Sequence, residues 1–425
     1  MPTKKALKLT DKEICKKWLL NKNINPKSMR KIKETGIVYK KLAEKCLDKN
    51  KEVKPKLSLN SNSKKIKAYK KIHKLFIPYI NRTTANIIDR INYFLIIKKY
   101  IMTIKEKNNC FKINNIDDKN EITYKIGNKI ILDKKIGSDG QYGFVYLSHF
   151  KFNINSNNKY NKLNKFAVKI TEEDKFTKKE IEILKILTNE VIQLKCPHFP
   201  ISYGFLKCNN IDINSDNSDN NMEHLLPEFI KKYNSYSILI NELASGDLLY
   251  YLKYVKNRDI INTLTQILLS IMFFYNSTKS YHTDCHIGNF LYHKIKPGGY
   301  FHYNIYNKDI YLENKGYLWV IWDFSFASPH KDMEYPINID FVHILDCLEY
   351  FDDSFSNMKS KFTSIESTLI SNLNTLLTDD YNHIKHPMYL DHINRDIINY
   401  LYINTDSFII TKPSNIINKT PFIIL

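Results

Sequence analysis

His282-Thr283-Asp284-Cys-His286-Ile-Gly288-Asn289-Phe-Leu291 decides how this 425-residue chain is read. The pattern sets a carboxylate and a carboxamide five positions apart, two residues after the start of a histidine-led loop. In phosphoryl transfer such an Asp orients the attacking hydroxyl and accepts its proton, while the Asn offers an oxygen to Mg²⁺. A chain rich in Asn and His produces so short a pattern by chance, so its weight depends on what lies around it and in what order.

Upstream, Ile136-Gly137-Ser138-Asp-Gly140-Gln-Tyr-Gly143-Phe-Val145 predicts a strand, a glycine-rich turn and a second strand. Glycines let backbone N–H groups approach phosphate oxygens where a Cβ would intrude, although a plain β-hairpin fits the same residues. Phe166-Ala167-Val-Lys169-Ile170 is an apolar strand interrupted by an ammonium, which a buried strand accepts only with a partner. The next segment repeats apolar residues at helical spacing (Ile183, Leu184, Leu187) with Glu180 one turn earlier. Glu180, Glu182 and Glu190 are the candidate partners of Lys169, with a surface helix pair as the bland reading of Glu180; the phrase Glu180-Ile-Glu-Ile-Leu184-Lys-Ile-Leu187 resembles the C-helix of protein kinases, and that resemblance makes Glu180 the first choice. Tyr236 to Asn241 is a further apolar strand that runs into Glu242-Leu-Ala244-Ser-Gly-Asp247. Tyr317-Leu-Trp-Val-Ile-Trp-Asp323-Phe-Ser325 is a strand ending in an acid, and Asn338-Ile-Asp340 opens a helix. Between Asn289 and Asp323, Pro297-Gly-Gly and the Tyr/Asn/Lys run after it predict an inserted β-hairpin.

In this order the segments resemble the eukaryotic-type Ser/Thr protein kinases of large DNA viruses, over the chain from about residue 125 onward. The resemblance implies an α+β, two-lobed protein-kinase-like fold, with a small β-rich N-lobe and a helical C-lobe, and ATP and Mg²⁺ in the cleft between them. It makes Asp284, Lys169 and Asn289 catalytic, and Asn289 and Asp323 the metal ligands. Ile136, Gly137, Ser138, Gly140, Gly143, Val145, Ala167, Lys169, Glu180, Glu242, Ala244, Asp247, His286 and Leu291 become the nucleotide-binding set. Within it Val145 roofs the adenine, the backbone of Glu242 and Ala244 bonds its edge, and Asp247 binds ribose, caps the helix at Leu248, or does both. Asn241 takes the gatekeeper place, and Asp340 braces the catalytic loop.

Three departures qualify the acceptor. Thr283 stands where the family has the Arg that meets a phosphorylated activation loop, so phosphorylation of that loop is not expected to be required. His286 replaces a Lys, and the loop phrase is close to that of aminoglycoside- and choline-kinase-like enzymes. The interval from Asp323 to Asp340 is short for a peptide-holding segment. The expected activity is therefore transfer of the γ-phosphoryl of ATP to protein hydroxyls, with a small-molecule phosphotransferase and a pseudokinase scaffold as rivals.

Net charge is +20, with Lys+Arg 64 against Asp+Glu 44. The lysines are spread along the chain, and Lys, Asn, Ile and Tyr abound together as AT-rich codons dictate, so no specific nucleic-acid partner is expected. Cysteines at 15, 46, 110, 196, 208, 285 and 347 form no C-x-x-C pair, which argues against zinc and against a dense disulfide framework. No apolar run reaches the roughly 20 residues that span a bilayer. The expected setting is host cytoplasm or viral factory, or the virion itself, and not secretion.

Residues 10 to 47 have their own organisation. Thr10-Asp11-Lys-Glu13 starts a helix bearing Cys15, Trp18 and Leu19, and a second helix from Gly36 presents Val38, Tyr39, Leu42 and Cys46 at helical spacing. The phrase from Cys15 through Trp18, Asn25-Pro26, Arg30, Gly36 and Tyr39 to Cys46 resembles the two-cysteine adaptor domain of large DNA viruses. That implies an interaction module, with another viral protein as its expected ligand and viral or host proteins as the kinase substrates. The expected organisation is thus an adaptor at 1–48, a basic flexible linker at 49–65, a helical N-lobe extension at 66–125 and a kinase-like domain at 126–425, its lobes meeting at 243/244.

Overall fold

The computed structural model describes residues 38–42, 87–102, 104, 111–116, 122–127, 129–140, 143–150, 165–209, 235–354, 362–406 and 408–425. The chain divides into two compact units, Met1–Lys67 and Ala68–Leu425. In the first unit residues 38–42 are helical, with Tyr39 and Leu42 half-buried, inside the expected second helix; Cys15 and Cys46 lie outside the described residues.

The second unit is mixed α+β, with a curled sheet followed by a largely helical C-terminal part. It opens with helix α1 (Ile87–Ile101), which buries Phe94, Ile97 and Ile101. Strands β1 (Phe111–Ile116), β2 (Ile122–Ile126), β3 (Ile130–Gly140), β4 (Gly143–Phe150) and β5 (Phe166–Glu172) follow. After helix α2 (Lys175–Ile192) come β6 (Ser202–Asn209) and β7 (Ser235–Glu242), completing a seven-stranded antiparallel sheet in the order β1-β2-β3-β4-β5-β7-β6. Among the described residues, the stretch expected to be a helical extension is therefore helical at α1 and extended at β1 and β2. Phe111–Ile116 and Ile122–Ile126 carry β-branched residues on either side of the polar sequence Asp-Asp-Lys-Asn and pair antiparallel, so the sheet begins before residue 126.

The helical part contains β8 (Gly246–Asp247), α3 (Leu248–Tyr254), α4 (Ile260–Thr278), β9 (Ser280–Tyr281), β10 (Phe290–Lys294), β11 (Tyr300–Ile305), β12 (Lys308–Glu313), β13 (Tyr317–Ile321) and β14 (Ser328–Pro329). Helices α5 (Ile339–Ser354), α6 (Ser364–Tyr381) and α7 (Leu390–Asn404) follow, then the short strands β15 (Phe408–Ile409) and β16 (Phe422–Ile423). Helix α4 alone among the described helices is long and apolar enough to cross a membrane, and 83% of that stretch is buried inside the protein. It is the central core helix.

The inserted hairpin forms as β11 and β12, turning through Tyr306 and Asn307, both in the left-handed region. The C-terminal strands β15 and β16 flank it in a second, four-stranded sheet, so this half is less helical than expected. Buried His198 ties the hairpin to the core: Nδ1 lies 2.8 Å from the Trp319 carbonyl and Nε2 2.8 Å from the Tyr303 hydroxyl. Cys208 is disulfide-bonded, while Cys196, Cys285 and Cys347 are free.

Candidate active site

Strand register assembles one wall. Residues directly opposite in an antiparallel pair share a face, as do residues two apart on one strand. Ile136 pairs with Val145, Val145 with Lys169, Ala167 with Asn241 and Lys169 with Leu239, so all six lie on one face of the sheet. Phe166, Val168 and Ile170 point the other way and are fully buried. The β3–β4 register slips between Ile136 and Gly140, where Gly137 and Ser138 lie, and Gly140 pairs with Gly143. Gly143 must be glycine because a Cβ there would stand 2.5 Å from the Ile170 carbonyl oxygen.

Lys169 lies at the centre of the polar cluster. Its Nζ is 2.9 and 3.0 Å from the two oxygens of Glu180 and 2.9 Å from Asp323 Oδ1. Glu180 is the partner, reached because Asp174 caps α2 through the Thr177 N–H and sets the helix phase that buries Glu180 beside Ile183, Leu184 and Leu187. Glu182 and Glu190 do not contact Lys169 in the described geometry. Burial alone would lower the Lys169 pKa, but Glu180 and then Asp323 outweigh it and hold the ammonium above its ordinary range. Burial pushes Glu180 up despite Lys169. At Asp323, 34% exposed where Glu180 is 1%, Lys169 wins over burial and the carboxyl sits below its usual value. Ser325 Oγ, 2.9 Å from Asp323 Oδ1 and 3.0 Å from Glu180 Oε2, closes the network.

The His282–Leu291 loop is pinned from three sides. Asp340, at the start of α5, accepts the N–H groups of His282 (2.6 Å) and Thr283 (2.7 Å). This holds Thr283 at φ 63°, a conformation that costs a β-branched residue free energy. The Thr283 hydroxyl donates to the Phe326 carbonyl, using the place of the expected Arg to tether the following segment. His282 Nε2 is 2.9 Å from the Trp322 carbonyl and the Trp322 N–H donates to the Asn289 carbonyl at 2.8 Å, so the loop and the Asp323 turn move as one piece. Asp323 is itself left-handed, at φ 62°.

Within the loop, Asn289 Nδ2 donates to the Asp284 backbone carbonyl (2.9 Å) and to Asp284 Oδ2 (3.0 Å). With Nδ2 committed, Oδ1 is the Asn289 atom suited to a cation. His286 Nδ1 accepts the Gly288 N–H at 3.0 Å, which fixes the Nε2–H tautomer and turns Nε2 toward Asp284 Oδ2 at 3.7 Å. A Cβ on Gly288 would stand 2.7 Å from the His286 ring. Carboxylate and carboxamide oxygens at Asp323 and Asn289 form the hard donor set that Mg²⁺ takes. His282, Cys285 and Asp340 also offer ligand atoms within 4.8 Å of one another, but both Asp340 oxygens are taken by backbone N–H groups and His282 Nε2 by Trp322. That trio braces the loop.

The remaining expected residues fall around this centre. Asp247 accepts the Tyr250 N–H at 2.7 Å as the N-cap of α3 and pairs across the ladder with Leu291. Half-buried Leu291 stands between Asp247 and Val320. Ala244 is half-buried just beyond β7, and the Glu242 N–H donates to the Ile201 carbonyl at 2.9 Å. The Glu242 side chain has an unforeseen task. Buried Arg90 of α1 donates to both its oxygens, at 3.0 Å from Nε, and to the carbonyls of Pro197 (2.8 Å) and Phe199 (2.7 Å). His293 Nε2 lies 3.3 Å from the same carboxylate. The sequence offered one hint: the chain's only arginines are Arg30, Arg82, Arg90, Arg258 and Arg395 amid abundant lysine.

Residues 14–48 match the 2-cysteine adaptor domain family. That segment suggests protein interaction. A search of curated proteins returns no match.

Proposed function

We propose that the second unit is a two-lobed, protein-kinase-like phosphotransferase that moves the γ-phosphoryl of ATP to a hydroxyl, and that the acceptor is a serine or threonine of a viral or host protein. The observation that carries this reading is Lys169 bridging Glu180 and Asp323 while Asp323 is fastened, through Trp322, to the loop bearing Asp284 and Asn289. A structural salt bridge needs one carboxylate. A lysine held between two, one buried and one partly exposed, suits a cation that hands one partner over to metal and aligns phosphates itself.

Mg²⁺, held by Asp323 and Asn289, would supply charge neutralisation on the phosphate oxygens. Asp284 accepts the proton of the acceptor hydroxyl as its oxygen bonds to the γ-phosphorus and the bond to the β-phosphate oxygen breaks, leaving ADP. Asn289 holds Asp284 in place through Nδ2, and His286, facing Asp284, is set to meet the γ-phosphate. Ile136, Val145, Ala167 and Leu291 enclose the base. The 2-cysteine adaptor segment recruits a protein partner, which favours a protein acceptor, in host cytoplasm, viral factory or virion. Incubation of the chain with γ-labelled ATP, Mg²⁺ and virion proteins, followed by phosphosite mapping, tests the reading.

One observation favours a small-molecule acceptor instead. The segment after Asp323 is strapped down by the Thr283 hydroxyl, by β14 pairing with β9 and by the His330 N–H to the Lys279 carbonyl, which leaves little platform for a peptide. Label appearing only on small hydroxyl compounds would decide for that alternative.

A further inference from the structure

We infer that Asn241 is a base-reading residue: its side-chain amide recognises the adjacent donor and acceptor of adenine, N6–H and N7, and so selects adenine over guanine nucleotides. The inference rests on the nucleotide reading above.

Asn241 is fully buried, and neither Oδ1 nor Nδ2 has a hydrogen-bond partner. A buried amide left unpaired on both atoms is costly, and a strand with Ile238, Leu239 and Ile240 before it has no packing need for one. Its direction is set by register. Asn241 lies opposite Ala167, two residues from Lys169 on β5, and Leu239, its own neighbour two back, lies opposite Lys169. Lys169 reaches Asp323 from this face. The free amide therefore belongs to the wall that carries the phosphate-facing lysine, one step further along toward the strand end at Glu242.

The chemistry then discriminates. An amide presents one acceptor and one donor group side by side. Adenine offers the complement, a donor at N6 and an acceptor at N7, whereas guanine offers two acceptors, O6 and N7. With guanine one pair becomes oxygen against oxygen in a dry site, and rejection built on unpaired buried polar groups is steep.

The test compares Mg-ATP, Mg-7-deaza-ATP (carbon at position 7, no acceptor) and Mg-GTP by calorimetry on the full chain and on Asn241→Leu. The wild-type chain is expected to bind ATP about tenfold more tightly than 7-deaza-ATP and about a hundredfold more tightly than GTP. In Asn241→Leu the ATP/7-deaza-ATP ratio is expected to fall to within about twofold of unity. Equal wild-type affinity for ATP and 7-deaza-ATP overturns the inference even where transfer from ATP is robust, and so does a tenfold ratio that survives in Asn241→Leu. The wild-type arm stands alone if the variant does not fold. A folded wild-type chain that binds none of the three sinks the phosphotransferase reading itself, a result distinct from equal binding.

Discussion

Replacing Arg90 with Met should cost more stability than almost any other single change outside the apolar core. The guanidinium is buried and meets both oxygens of buried Glu242 and two backbone carbonyls. Met keeps the packing volume but leaves Glu242 with the Ile201 N–H at 2.8 Å and His293 at 3.3 Å as its remaining contacts. Removing one partner of a buried pair costs about 3–5 kcal/mol, mostly the burden of the charge left behind. At about 2 °C per kcal/mol for a unit of this size, the melting temperature should drop by about 6–10 °C. The double variant Arg90→Met/Glu242→Gln should recover about half of the loss, because the Gln oxygen still accepts the Ile201 N–H and no charge remains. The pH dependence carries a sign. Burial would raise the Glu242 carboxyl, but Arg90 and then His293 outweigh it and hold it well below its ordinary value of 4.5. A depressed folded value stabilises fully above 4.5 and is lost as pH falls below it. The Arg90→Met deficit should therefore be largest near pH 7 and shrink once Glu242 can take a proton. Urea titrations at pH 7 and pH 4 measure this. A deficit below about 1 kcal/mol at pH 7, or one that grows on acidification, would refute the network.

Other outcomes follow from the same geometry. Asp340→Asn leaves one of the two loop N–H groups facing a donor, so it should destabilise by about 1–3 kcal/mol and lower label transfer more than tenfold, read by melting and γ-labelled ATP. Ser325→Ala removes only the bridging hydroxyl and should cost about 1 kcal/mol while Mg-ATP affinity stays within about threefold; a collapse of binding would mean that the hydroxyl, not Lys169, positions Asp323. Burial, despite the Trp319 carbonyl, lowers His198 to about 4 from 6.5. Its contribution is thus present above 6.5 and lost as pH falls toward 4, about 3 kcal/mol in all, and His198→Gln should flatten that stretch of the stability–pH curve.

The site was legible where chemistry forces residue type. An ammonium on the apolar strand at Lys169 demands an acid, and Glu180, one turn before the repeat of Ile183, Leu184 and Leu187, was the first of three candidates. The strand ending at Asp323 and the loop at Asp284 are local patterns whose meeting required only the right order. The inserted hairpin was legible too from Pro297-Gly298-Gly299 just before it, both glycines at positive φ, although the hairpin itself turns through Tyr306 and Asn307. What escaped were contacts between distant segments. Nothing near Arg90 announces Glu242, 152 residues away. Residues 111–125 read as helix because their apolar content fixes burial but not period over such short runs, and the pairing of β15 and β16 with the hairpin depends on two-residue strands too short to carry a pattern. Nor does the pattern around Ser325 show that its hydroxyl lies between the carboxylates of Glu180 and Asp323.

The most direct test of the account is transfer from γ-labelled ATP by the wild-type chain and by Asp284→Asn, with Mg-ATP affinity measured on both. Asp284 is held by Asn289; in the proposed reaction it accepts the proton of the incoming hydroxyl, so the variant should lose about 10²–10⁴-fold in transfer while its affinity for Mg-ATP stays within about threefold. A variant that transfers label at the wild-type rate, or a wild-type chain that binds Mg-ATP and transfers none, would contradict it.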